Sequence, residues 1–235
     1  MVRAPVLRDA IGVGLATGTY GLSFGALSVG SGLSVLQTCA LSALMFTGAS
    51  QFAFVGVIAS GGNPVAGAAG AVLLSIRNAL YGIQLSALLC VRGPRRALAS
   101  HLVIDESAAM GLARPSPDEG RLGFWATGLA VFTCWNTATL VGALGAQGLS
   151  DPEVLGLDVV APAAFVALLA PRMRAPLGTR PVWVVAAVAG VVVLATARFV
   201  PNGVPLLIGA AVAAPIGLLL VRMQWHSAVI APEAP

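Results

Sequence analysis

The chain has 235 residues, of which 57% are hydrophobic and only 9% charged, where soluble domains carry about 25% charged residues. So few charges cannot coat a water-facing surface of this size, and the composition defines an integral membrane protein. All 13 basic residues are arginines, dispersed along the chain with 6% aromatics and a net charge of +4, which excludes the concentrated basic face of a nucleic-acid binder, while Cys39, Cys90 and Cys134 are too isolated for a disulfide framework or a metal motif.

Apolar stretches of spanning length fall at 8–30, 35–60, 65–91, 121–147, 154–171, 181–199 and 203–222. They predict an all-α, single polytopic domain over residues 1–235 with about seven transmembrane helices. The start, Met1 to Asp9, resembles a signal n-region, but the apolar run behind it is too long for an h-region and continues as a span. Within that span Gly14, Gly18, Gly21, Gly25, Ser28 and Gly32 recur every three or four residues and share one helical face. Such a face admits the close approach of another helix, either inside the fold or from a partner, or it walls a substrate path.

The second stretch carries Phe46-Thr47-Gly48-Ala49-Ser50-Gln51-Phe52-Ala53-Phe54, a run of small and polar groups at mid-membrane depth. Gly48 permits a break whose exposed amides can hold a carboxylate. Ser50 and Gln51 must either bond to other helices or line a cavity. After the turn Ser60-Gly61-Gly62-Asn63-Pro64, the third stretch holds Arg77-Asn78-Ala79-Leu80-Tyr81-Gly82. An arginine this deep needs a partner or an aqueous cavity; it would bind a substrate carboxylate as a fork or bond to backbone carbonyls.

Residues 92–120 form the one sizeable polar segment, predicted as a cytoplasmic loop with a short amphipathic helix from Gly93-Pro94 to Arg114-Pro115. Ser116-Pro117-Asp118-Glu119 then reads as an N-cap with Pro at N1 and Glu at N3, opening the fourth stretch. Trp135-Asn136-Thr137 is a weaker polar cluster within it. Near the end, Val200-Pro201-Asn202-Gly203-Val204-Pro205 repeats the abrupt turn chemistry seen before the third stretch. The two turns are consistent with a three-plus-one-plus-three repeat of broken helices, or with turn residues recurring in any polytopic chain.

If all seven stretches cross, nine arginines fall on one side and Arg3, Arg8 and Arg198 on the other, with Arg77 inside a span. The positive-inside rule then places the C-terminus in the cytoplasm and the N-terminus outside. Arg3 and Arg8 dissent: if they are cytoplasmic, one of the first three stretches is re-entrant. No HExxH, P-loop or intramembrane histidine accompanies Ser50, His101 and His226 being placed in a loop and a tail, so an enzyme is not expected.

Several pieces resemble the AzlC family, the large subunit of bacterial branched-chain amino acid exporters. They are Gly21-Leu22-Ser23-Phe24-Gly25, Phe46 to Phe52, Arg77 to Gly82, Asp105-Glu106-Ser107, Gly156-Leu157-Asp158 and Pro162 to Leu169. One departure is Ser75, where the family pattern carries Asn. The resemblance implies export of valine, leucine or isoleucine across the bacterial inner membrane, driven by the membrane potential or a proton gradient. It also implies a small companion subunit of the AzlD type, with no cofactor and no nucleic acid. The residues assigned to substrate are Gly48, Ser50, Gln51, Phe52, Arg77, Asn78, Tyr81 and Asn136, with Asp158 a candidate for coupling. A zwitterion with an apolar side chain needs an anion site (Arg77 and the Gly48 break), a cation site (backbone carbonyls or Asp158) and an apolar pocket (Phe46, Phe52 and Phe54). A channel or a non-transporting component of a membrane complex is the alternative.

Overall fold

The computed structural model describes residues 3–148, 179–201 and 203–230, and is all-helical there. In chain order the helices are α1 (Arg3–Gly30), α2 (Val35–Leu44), α3 (Ala49–Ala59), α4 (Pro64–Leu89), α5 (Pro94–His101), α6 (Asp105–Leu112), α7 (Pro117–Gln147), α8 (Thr179–Thr196) and α9 (Val204–Ile230). α1, α4 and α7 are long and apolar enough to cross a membrane. The protein is an all-α membrane protein. The predicted fifth stretch, 154–171, lies outside the described residues, and with it part of the proposed three-plus-one-plus-three repeat.

Local chemistry sets the helix starts. Ser34 and Gln37 close a reciprocal capping box at α2, with Ser34 Oγ accepting the Gln37 amide at 3.2 Å and Gln37 Oε1 accepting the Ser34 amide at 2.8 Å. Asn63 Oδ1 accepts the Val65 amide ahead of α4, and Ser116 caps α7, each followed by proline at the first helical position.

α7 is the central helix, and glycines on both sides of its contacts let backbones touch. A Cβ placed on Gly14 would lie 2.8 Å from the Ala130 Cβ, one on Gly18 would lie 2.7 Å from the Cys134 Cβ, and one on Gly25 would collide with the Thr139 carbonyl oxygen. Gly14, Gly18, Gly21 and Gly25 of the stripe are therefore filled by α7 as internal packing, while Gly32 lies beyond the end of α1 at φ 92° with nothing within 4 Å. Since the paired numbers rise together, α1 and α7 run parallel. An ion pair from Arg114 to Asp9 at 2.9 Å ties their starting ends together, and Arg121 Nε donates to the Leu88 carbonyl at the end of α4 at 2.8 Å.

This arrangement corrects the predicted topology. Arg3 and Arg8 lie at the same end as Arg92, Arg95, Arg96, Arg114 and Arg121, so the N-terminus does not face away from them. The second apolar stretch is the re-entrant one. α2 enters from the opposite end antiparallel to α7, as Ser42 meets Thr139 at 3.2 Å and the Phe46 and Phe132 rings lie 5.1 Å apart. α3 then returns antiparallel to α4, with Ser50 against Ser75 at 3.0 Å and Val57 against Gly67. At 10 and 11 residues, each arm reaches about 15 Å, half the ~30 Å hydrocarbon thickness.

Residues 92–120 fold as two short helices in place of one amphipathic helix. They form a second hairpin, entering where α4 ends and leaving where α7 begins. Its tip, Leu102-Val103-Ile104, is 1–6% exposed, and Gly111, Met110 and Leu102 pack in turn against Gly120, Gly123 and Gly128 of α7. Ser107 Oγ donates to the Leu102 carbonyl at 2.6 Å and accepts the Ile104 amide at 3.1 Å, closing the tip. α8 and α9 pack antiparallel, with Gly209 at Val193 and Gly217 at Val185.

Candidate functional site

The two hairpins enter from opposite ends, and their tips meet halfway along α4. There Phe46 from the first tip contacts His101 beside the second, with ring centroids 6.0 Å apart. Between the tips lies a cavity of about 70 Å³ lined by Phe46 to Ala49 and Phe52 of the first hairpin and Ile104 to Glu106 of the second. Arg77 of α4, Val131 and Trp135 of α7, and Thr17 and Tyr20 of α1 complete it. At ~10–15 Å³ per water, this is room for a small solute.

The first tip is a true break in the helix. Gly48 adopts φ 66° and ψ −91°, a conformation that strains any residue bearing a Cβ. Gln51 braces the break: its Oε1 accepts the Gly48 amide at 3.1 Å, and its Nε2 donates to the Leu41 and Ser42 carbonyls at 3.1 and 3.2 Å. One fully buried amide thus serves groups at the end of α2 and at the start of α3. The amide end of α3 consequently faces the cavity at Gly48 and Ala49, where its dipole favours negative charge.

Arg77 lies about 18 Å from either end of α4 by helical rise, and its Nη1 donates to Asp105 Oδ2 at 2.7 Å. Its partner is therefore a carboxylate at the start of α6, and the two side chains are 30% and 28% exposed. Arg77 Nε and Trp135 Nε1 are buried donors with no acceptor among the described residues, at a site where buried polar groups are ordinarily satisfied. Glu106 borders the same cavity. Because α6 has only eight residues it is not a spanning segment, and burial raises the Glu106 carboxyl above its ordinary value. A backbone hydrogen bond lowers it, the neighbouring Asp105 charge raises it, and Arg77 lowers it.

Among the residues picked out by sequence, Phe46, Gly48, Phe52 and Arg77 converge on the cavity. Phe52 belongs to an aromatic wall, with its ring 5.5 Å from Phe24 and 6.1 Å from Trp135. Ser50 is spent on Ser75, whose hydroxyl in turn donates to the Ala71 carbonyl, and the pair joins α3 to α4. Asn136 Nδ2 donates to the Phe132 carbonyl of its own helix at 2.8 Å. Tyr81 and Phe54 pack against the apolar core. Asn78 adjoins Arg77, with a buried Oδ1 that has no hydrogen-bond partner among the described residues. Asp158 lies outside the described residues. Sequence reasoning did not place Asp105 and Glu106 in the site, since they sit in the segment assigned to a cytoplasmic loop. The signal was present: two acids directly follow the apolar run Leu102-Val103-Ile104.

Opposed helical hairpins meeting at a charged cavity define a membrane protein with a solute-sized site inside its bundle. The chain belongs to the AzlC family, whose pattern (AzlC protein) matches residues 12–149 and so takes in both hairpins. It is similar to the inner membrane protein YgaZ of Escherichia coli (strain K12), with 26% identity over 171 residues covering 69% of each chain. No solved structure matches the chain.

Proposed function

We propose that the chain is a secondary transporter of the bacterial inner membrane that exports branched-chain amino acids, and that it is not an enzyme. The observation that carries this reading is the convergence of two re-entrant hairpins on a cavity holding both signs of charge and an aromatic wall. Broken helices around a central site are a recurrent transporter device, because they offer amides and carbonyls to a solute without exposing them to lipid. A zwitterion finds what it needs there. Its carboxylate fits the amide end of α3 and the Nε donor of Arg77, and its ammonium group fits the carboxylates at the start of α6. An aliphatic side chain fits against Phe46, Phe52, Val131 and Trp135. On this reading Asp105 and Glu106 supply the cation site, and Asp158 lies outside the described residues.

By the positive-inside rule the arginine-rich end faces the cytoplasm. A small AzlD-type subunit is proposed as the companion on the strength of family membership. With the α1 glycines engaged by α7, that subunit would have to meet another surface. The test is counterflow of labelled leucine in liposomes holding the chain alone or with the companion. Saturable exchange is expected, with competition by valine and isoleucine and none by aspartate. No exchange with either preparation would favour a non-transporting component, and unsaturable flux would favour a channel.

A further inference from the structure

Among the described residues three charged side chains border the cavity, and they do not cancel. Arg77 is committed to Asp105 at 2.7 Å, while Glu106 faces the same space with no salt bridge among the described residues. The remaining titratable group among the described lining residues is Tyr20 of α1; those of the first hairpin and of α7 carry none. With Glu106 ionised the walls hold one uncompensated negative charge, and with Glu106 protonated they hold none. An unpaired carboxylate at this depth is costly, so Glu106 needs either a proton or a cationic group beside it. A separate observation concerns the same wall: Trp135 is 3% exposed, lines the cavity, and has an Nε1–H with no acceptor among the described residues.

We infer that Glu106 is the coupling residue, binding a proton and the ammonium group of the substrate in mutual exclusion. The inference rests on the transport reading above and supplies its energetics. On the loading side the protonated carboxyl gives up its proton to solvent, and the ammonium group takes its place beside the carboxylate. On the release side the amino acid departs, and a proton from that side restores the neutral carboxyl. One proton enters for each zwitterion exported, and no other co-reactant is required. The Arg77–Asp105 pair stays closed throughout, so only one carboxylate changes its charge. Burial strengthens the competition, because it keeps Glu106 protonated at a pH where an exposed glutamate would already be ionised.

The test is titration calorimetry of leucine into the full chain in nanodiscs, repeated in buffers of different ionisation enthalpy and across pH. With competition at one carboxyl, leucine binding releases close to one proton at pH values below the folded pKa of Glu106. Its affinity rises about tenfold per pH unit there and levels off above. Glu106→Gln removes both the proton release and the pH dependence and weakens binding. Leucine binding to the unaltered chain with no proton release and no pH dependence would overturn the inference while leaving transport intact. Unchanged proton release in Glu106→Gln would overturn it as well. No leucine binding at any pH, together with no counterflow, would instead remove the transport reading itself.

Discussion

Arg77 is the residue on which sequence and structure meet most directly. Its position within an apolar stretch already demanded compensation, and insertion scales put a central arginine at about 2.5–3.5 kcal/mol. The compensation is Asp105, 28 residues further along the chain, and no local pattern links the two. The geometry separates the roles of the pair. Arg77→Ala leaves Asp105 in a partly buried site without its counter-ion, at a cost below the roughly 3–5 kcal/mol of a fully buried pair. A lower amount of protein in the membrane and a loss of leucine counterflow of at least about tenfold are expected. Arg77→Lys retains the charge but has no donor equivalent to Nε, so it should restore protein amount more than flux. Combining Arg77→Ala with Asp105→Asn removes both charges and should recover protein amount without recovering counterflow. Normal flux per molecule in Arg77→Ala, by quantitative immunoblot and counterflow, would take Arg77 out of the site.

At the scale of the helices, the glycines divide into those that pack and those that do not. A methyl group on Gly25 collides with the Thr139 carbonyl, a backbone atom that cannot rotate away, whereas one on Gly12 meets nothing within 4 Å. Both lie inside α1. Gly25→Ala should therefore cost about 1–3 kcal/mol or more by forcing α1 off α7. Gly12→Ala should be neutral or stabilising by up to about 1 kcal/mol, since alanine favours a helix over glycine. Thermal unfolding in detergent checks the opposite signs; equal effects would mean that α1 and α7 do not approach as described. The stripe was legible because its spacing is that of a helix, and Gly48 was legible because a glycine beside Ser50 and Gln51 invites a break. The α5–α6 hairpin was not. Its helices have eight residues each, too few for periodicity to show. Its buried tip is three residues long, and five arginines near its ends give the whole segment the composition of a solvated loop.

For the whole molecule, composition was enough to define a membrane protein and an all-helical fold, but counting spans was not enough to orient it. The stretch 35–60 is long and apolar enough to cross, and hydropathy cannot distinguish one crossing from two half-length arms around a kink. Allowing it to cross sent Arg3 and Arg8 to the wrong end. With α2 and α3 as a hairpin, the arginines of residues 3–148 other than Arg77 gather at one end, so the charge bias becomes stronger within this part of the chain. Accessibility of introduced cysteines tests this in a chain whose Cys39, Cys90 and Cys134 are replaced by alanine. Leu36 begins the first hairpin and Ala59 ends it, and both are exposed. Leu36→Cys and Ala59→Cys should react with an impermeant maleimide from the same, periplasmic side. Ala4→Cys at the start of α1 and Ala97→Cys on α5 should react only from the cytoplasmic side. If Leu36→Cys and Ala59→Cys label from opposite sides, the second stretch is a full span and the cavity between the hairpin tips loses one of its walls. If Ala4→Cys labels opposite Ala97→Cys, the parallel packing of α1 on α7 fails, because helices aligned from Gly14–Ala130 to Gly25–Thr139 cannot start on different sides of the membrane.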